Sequence, residues 1–181
     1  MKKGRFLLVF LAAFGVLLVV WSRSGAGEWY SRALLGAASV AGPMTHGWIL
    51  EAAQAPGKRP AWVHGGARVD LQIQFEQLSV GVVPLIALLL ATPGVAVGRR
   101  LRQIALGLAS VFLIDLAIVV LFPLLVYYQN DFTDIAGTFL GLVGFVGAPA
   151  IVWFTLSFRE LRQWLPRLGE KPTTQAVRRE S

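Results

Sequence analysis

The 181-residue chain contains no cysteine and only two histidines. The first absence rules out disulfides, thiol nucleophiles and thiolate metal sites. The second leaves little imidazole for general acid–base work or metal binding. Charged residues make up only 15% of the chain, against 55% hydrophobic. The long apolar runs carry almost no charge. No lysine or arginine interrupts them, so a carboxylate inside one has no basic partner within the runs.

The apolar residues gather in four stretches. The first is Phe6 to Val20, closed by Trp21; the second runs from about Leu78 to Ala91. The third is Ile104 to Val126, and the fourth runs from about Phe132 to Phe158. A bilayer core of ~30 Å needs about 20 apolar residues in a helix. The third and fourth stretches meet that length, the first is near its lower limit, and the second reaches it only if Phe75 to Gly94 all contribute. Backbone amides have no other partner in lipid, so each stretch is expected to be helical. The expected fold is an all-α membrane protein: a four-helix transmembrane bundle with a small external α/β cap.

Charge placement orients this scheme. Twelve of the 17 basic residues fall on one side: Lys2, Lys3, Arg5, Arg99, Arg100, Arg102, Arg159, Arg162, Arg167, Lys171, Arg178 and Arg179. Arg23, Arg32, Lys58, Arg59 and Arg68 fall on the other. The excess marks the cytoplasmic side, with both termini inside and residues 22–77 external or periplasmic. The expected location is therefore the cell (inner) membrane, multi-pass. The net charge of +7 reflects this topology and not a nucleic-acid partner. The first stretch also resembles a signal peptide, with Gly25, Ala26 and Gly27 as small residues. Trp21-Ser22-Arg23 is a poor cleavage site, which favours an uncleaved anchor.

The chain thus divides into an anchor at 1–21, an external cap at 22–77, a three-span core with a cytoplasmic helix extension at 78–168, and a disordered basic tail at 169–181. Within the cap, Glu28 to Val40 reads as a short amphipathic helix, with Trp29, Ala33, Leu34 and Ala37 on its apolar side. Trp29 and Tyr30 suit the headgroup level. Trp48 to Glu51 and Ala61 to His64 are candidate strands around a Pro/Gly-rich turn. Arg68 to Phe75 alternates, with Val69, Leu71, Ile73 and Phe75 facing inward. A β-hairpin or three-stranded sheet over the outer helix ends is expected. The fourth helix is expected to continue past Phe158.

Three features carry candidate chemistry. Asp115 lies near the middle of the third stretch, where a carboxylate costs ~2.5–3.5 kcal/mol on insertion scales. It is either a proton-relay or ligand contact, or part of an interhelical hydrogen bond to a group such as Thr138, Ser110 or Thr155. His46 and His64 could form a metal site with Glu51, Asp70 or Glu76, but the spacing is not that of a ligand motif. Ordinary loop histidines are the simpler reading. Gly137, Gly141 and Gly144 place small residues along the fourth stretch, allowing close helix packing within the bundle or self-association. Pro84, Pro123 and Pro149 fall inside stretches, where kinks are expected. No catalytic constellation, metal site or cofactor motif is assigned.

From Gln77 onward the order of features resembles a known family. Gln77-Leu78-Ser79-Val80-Gly81-Val82-Val83-Pro84 opens a span that ends in Leu90-Ala91-Thr92-Pro93. The basic turn Arg99-Arg100-Leu101-Arg102 follows, then Ile104-Ala105-Leu106-Gly107-Leu108 enters a long span with a polar residue midway. This is similar to the core of the exosortase and archaeosortase family and to exosortase-associated membrane proteins. The similarity covers roughly residues 75–160 and is a pattern of spans and turns. The family's catalytic Cys, Arg and His have no counterpart. Ser79 stands near the first position, Asp115-Leu116-Ala117-Ile118 at the second and Gln129-Asn130-Asp131-Phe132 at the third. The resemblance therefore implies a non-catalytic accessory component of a protein-sorting system, with a sorting enzyme or its substrate helix as membrane partner. The alternatives are a small transporter or channel subunit built on Asp115, and an external-face hydrolase or transferase using His46 or His64.

Overall fold

The computed structural model describes residues 3–42, 47–51, 60–71, 81–127, 135 and 147–164. These residues are mostly helical. Five helices are joined by one small sheet: α1 (Lys3–Ser24), α2 (Ala26–Ala41), α3 (Val82–Ala91), α4 (Val97–Tyr127) and α5 (Ala148–Trp164). The strands are β1 (Ile49–Glu51), β2 (Ala61–His64) and β3 (Ala67–Asp70).

Two helices, Gly4–Ser24 and Val97–Tyr127, are long and apolar enough to cross a membrane. At 1.5 Å per residue α1 extends about 33 Å and α4 about 46 Å. The apolar window of α1 has no buried residue, although the helix packs along α3. Helix α3 has ten residues, about 15 Å, and does not span alone. The start of the expected second stretch, up to residue 80, lies outside the described residues. So does most of the fourth stretch before Gly147.

Local chemistry explains the boundaries. Gly25 adopts φ 69°, a left-handed conformation that breaks α1 from α2 at small cost only for glycine. Pro84 sits in the first turn of α3 and Pro149 in that of α5. A missing amide hydrogen costs nothing in a first turn. The residues before each helix, 72–80 and 136–146, lie outside the described residues, and with them the kinks expected at these two prolines. Pro123 does lie inside α4. Helix α3 stops at Thr92-Pro93-Gly94, with Gly94 at φ 76°. Helix α5 runs through Arg159, Glu160 and Arg162, the continuation expected past Phe158.

The sheet is an antiparallel meander in the order β1-β2-β3. Gly65 and Gly66, at φ 56° and 86°, form the two-residue turn that sets the β2–β3 register. Trp62 pairs with Val69, and His64 with Ala67. The alternation from Arg68 holds in the described part. Val69 and Leu71 are buried while Arg68 and Asp70 are exposed. Ile73 and Phe75 lie outside the described residues.

The apolar interior has two centres. One gathers Leu34, Ala38, Trp48, Trp62, Val69, Leu71 and Val119, joining α2 and the sheet to the C-terminal half of α4. The other gathers Val82, Leu85, Leu89 and Val111, with Trp21, Trp153 and Leu156 against it. Gly107 lets α3 and α5 approach α4. A Cβ there would stand 3.2 Å from Leu85 Cδ2, 3.3 Å from Leu89 Cδ1 and 3.5 Å from Leu156 Cδ1.

Candidate functional site

Asp115 is buried in α4, with 2% of its surface exposed. Its partner is Tyr30 of α2, whose hydroxyl donates to Asp115 Oδ2 at 2.5 Å. The helix-borne groups considered from sequence go elsewhere. Ser110 Oγ donates to the Leu106 carbonyl and Thr155 Oγ1 to that of Ile151, while Thr138 lies outside the described residues. Tyr30 is held by ring contacts on both sides. Phe112 stands edge-on at 5.7 Å and Trp21 at 6.5 Å. Burial first, and then the hydrogen bond and charge of Asp115, hold the Tyr30 phenol protonated far above its ordinary range. The phenol is therefore a fixed donor.

Tyr30 reaches Asp115 because the buried face of α2 keeps Leu34 from the side read in the sequence but turns away from Trp29 and Ala33. Ser31, Leu34 and Ala38 are its buried residues, and Tyr30 lies beside them. Trp29, placed on the apolar side from sequence, is 72% exposed. Ala33 is exposed too. The Arg32 guanidinium lies 6.0 Å from the Trp29 ring centroid, and Arg32 also pairs with Glu28 at 3.2 Å.

His64 ends β2, and its ring lies 5.4 Å from that of Trp48. The carboxylates considered with it are at the other end of the sheet. Ala61 is the partner of both Glu51 and Asp70, three residues or about 10 Å along the strand from His64. Glu51 and Asp70 meet Arg68 instead, at 3.4 and 2.9 Å. His46, Glu76, Gly137, Gly141 and Gly144 lie outside the described residues. Among the described residues no group of three or more His, Asp or Glu side chains is placed to hold a metal ion.

A second polar centre, not singled out in the sequence, lies where α3, α4 and α5 meet at the basic end of the molecule. Trp153 Nε1 donates to Thr92 Oγ1 at 2.9 Å, and Thr92 Oγ1 donates to the Leu88 carbonyl at 2.8 Å. Arg100 donates to the Thr92 carbonyl at 2.8 Å. Gln103 Nε2 donates to the Leu156 carbonyl at 2.8 Å, and Arg99 pairs with Glu160 at 2.9 Å. Gln103, Ser157 and Glu160 are all buried. Trp153, Ser157 and Glu160 recur at i, i+4 and i+7, the one sequence signal that places them on a single helix face. The centre locks three helices together. It holds one carboxylate, and that carboxylate already faces an arginine.

No protein-family model, curated protein or solved structure matches the chain.

Proposed function

We propose that the chain is a non-catalytic integral membrane protein that fastens a small α/β cap to the outer ends of its helices and presents it to a membrane-protein partner. The observation that carries this reading is the Tyr30–Asp115 hydrogen bond. The carboxylate in the apolar stretch of α4 is shielded and committed to a fixed donor from the cap helix. A proton relay or ion path needs such a group facing a wet cavity or a mobile partner. A clamp between cap and core needs it enclosed.

The exposed apolar surface of α1, from Leu7 to Val20, supports a lipid environment on that side. The basic residues at the Arg99–Arg102 end support the orientation with that end cytoplasmic. The order of spans and turns from Gln77 supports a sorting enzyme, or the helix it processes, as the partner. The separation of His64 from Glu51 and Asp70 disfavours the external hydrolase or transferase.

The test is photocrosslinking in native membranes from single positions on the cap, at Val40 and Ile49, with Leu8 of α1 as the lipid-facing control. The expected result is one multi-span membrane protein crosslinked from the cap positions and lipid from Leu8. Crosslinks to lipid alone from all three positions would remove the partner from the account.

A further inference from the structure

We infer that the outer headgroup plane of the bilayer meets the protein at the Trp21–Arg23 end of α1, level with Asp115. On this register the rest of α4 stands outside the hydrocarbon as a post carrying the cap. The inference rests on the membrane reading proposed above and adds where the lipid surface lies.

Ring contacts and hydrogen bonds tie levels on α1 to levels on α4. At the basic end, Phe6 lies 6.2 Å from Trp153. Trp153 bonds Thr92, whose carbonyl receives Arg100. The start of α1 is therefore level with Arg100. At the other end Trp21 touches Tyr30, which touches Phe112 and Asp115. The end of α1 is therefore level with Phe112 to Asp115. From Arg5 to Arg23 a helix rises about 27 Å, close to the ~30 Å of a hydrocarbon core. Arginines at both limits can extend their guanidinium groups to the headgroups.

Beyond Asp115, α4 continues to Tyr127, a further rise of about 18 Å. Against that part pack Leu34, Ala38, Trp48 and Leu71, with Val119 at their centre. Trp48 stands edge-on to Tyr127 at 5.5 Å. The flanking sheet, whose outer strands among the described residues are β1 and β3, carries Glu51, Arg68 and Asp70 exposed on its surface. Exposed charged side chains are costly in the hydrocarbon. A slab centred on Asp115 would immerse this sheet and Arg23 together. The lower register leaves both in the external phase or at the headgroups. It also puts exposed Trp29, with Arg32 over its ring, just above the plane, where Trp and Arg face phospholipid headgroups. Asp115 then forms the floor of the cap.

The absence of cysteine permits a clean depth measurement. Single nitroxide labels are placed through Leu8→Cys and Leu18→Cys on α1, through Leu106→Cys, Leu113→Cys and Leu121→Cys on α4, and through Ile49→Cys on the sheet. All six positions are exposed. The full chain is reconstituted in phosphatidylcholine/phosphatidylglycerol vesicles, and collision with oxygen is compared with collision with a water-soluble nickel chelate. The expected profile along α4 is deepest at Leu106, shallow at Leu113 and water-like at Leu121, which matches Ile49. A maximum at Leu113 with Leu106 and Leu121 equally shallow would overturn the register and leave the membrane reading standing. Nickel access equal at all six positions would overturn both.

Discussion

Replacing Tyr30 with phenylalanine isolates the hydroxyl that joins the cap helix to α4. The ring keeps its contacts with Trp21 and Phe112, so only the donor is lost. Asp115, 2% exposed, gains no water in exchange. A hydrogen bond to a charged group contributes ~1.5–3 kcal/mol in soluble proteins. Interhelical polar pairs in membrane proteins average ~0.6 and reach ~1.7 kcal/mol. The burial of Asp115, with Tyr30 half-buried beside it, places Tyr30→Phe in the upper half of the second range, about 1–1.5 kcal/mol. Asp115→Asn keeps an acceptor for the Tyr30 hydroxyl and is expected to fold and to cost less than Asp115→Leu, because the Tyr30 hydroxyl is the group that donates. Asp115→Leu strands the Tyr30 hydroxyl and is expected to cost about 1–3 kcal/mol. In the double variant Tyr30→Phe/Asp115→Leu the two losses should not add, and the shortfall measures the pair. The assay is reversible unfolding in mixed micelles at rising dodecyl sulfate, followed by tryptophan fluorescence; Trp21 beside Tyr30 is a local reporter. A cost below about 0.3 kcal/mol for Tyr30→Phe, with additive behaviour of the pair, would refute the clamp. Loss of a cellular phenotype in Asp115→Asn at normal protein levels would show that the proton itself matters, and would move the transporter reading ahead.

Gly42→Ala should lower stability by about 1–3 kcal/mol in the same assay, the cost of overpacking, because its Cβ would stand 3.0 Å from the Trp48 carbonyl oxygen and 3.2 Å from the Trp62 ring; an unchanged midpoint would contradict that close approach. Gly66→Ala, at φ 86°, should cost about 1–2 kcal/mol by straining the hairpin turn, read as faster proteolysis of the cap in right-side-out vesicles. Val69→Asp places a charge in the apolar centre under the sheet and should sharply lower the protein recovered in membranes, while Arg68→Gln on the exposed face should not. Thr92→Val keeps the shape but leaves the Trp153 N–H without its acceptor, at about 1–3 kcal/mol; adding Trp153→Phe should recover part of the loss.

Local periodicity carried the cap and failed at the site. Arg68 to Leu71 alternates because one sheet face is buried, so its inward residues were readable. Helix α1 was readable because an unbroken apolar run needs no partner to be recognised. Asp115 stood out by its apolar surroundings, but its partner lies 85 residues away and local pattern cannot choose among distant donors. Tyr30 and Trp29 are adjacent aromatics of similar amphipathic character. Only the packing of α2 on α4 decides that Tyr30 is half-buried against Asp115 and Trp29 exposed. The Thr92, Gln103 and Glu160 centre escaped for a related reason. Its polar residues are scattered over three segments and converge only when α3, α4 and α5 meet.

The central claim is that cap and basic helix ends lie on opposite sides of a membrane. Impermeant maleimide labelling of the cysteine-free chain tests it directly, with Ile49→Cys on the sheet and Leu101→Cys beside Arg100 and Arg102, both exposed. In intact cells Ile49→Cys should label fully, and Leu101→Cys only after permeabilisation. Labelling of Leu101→Cys but not Ile49→Cys in intact cells would invert the topology, and equal labelling of both without permeabilisation would contradict the account.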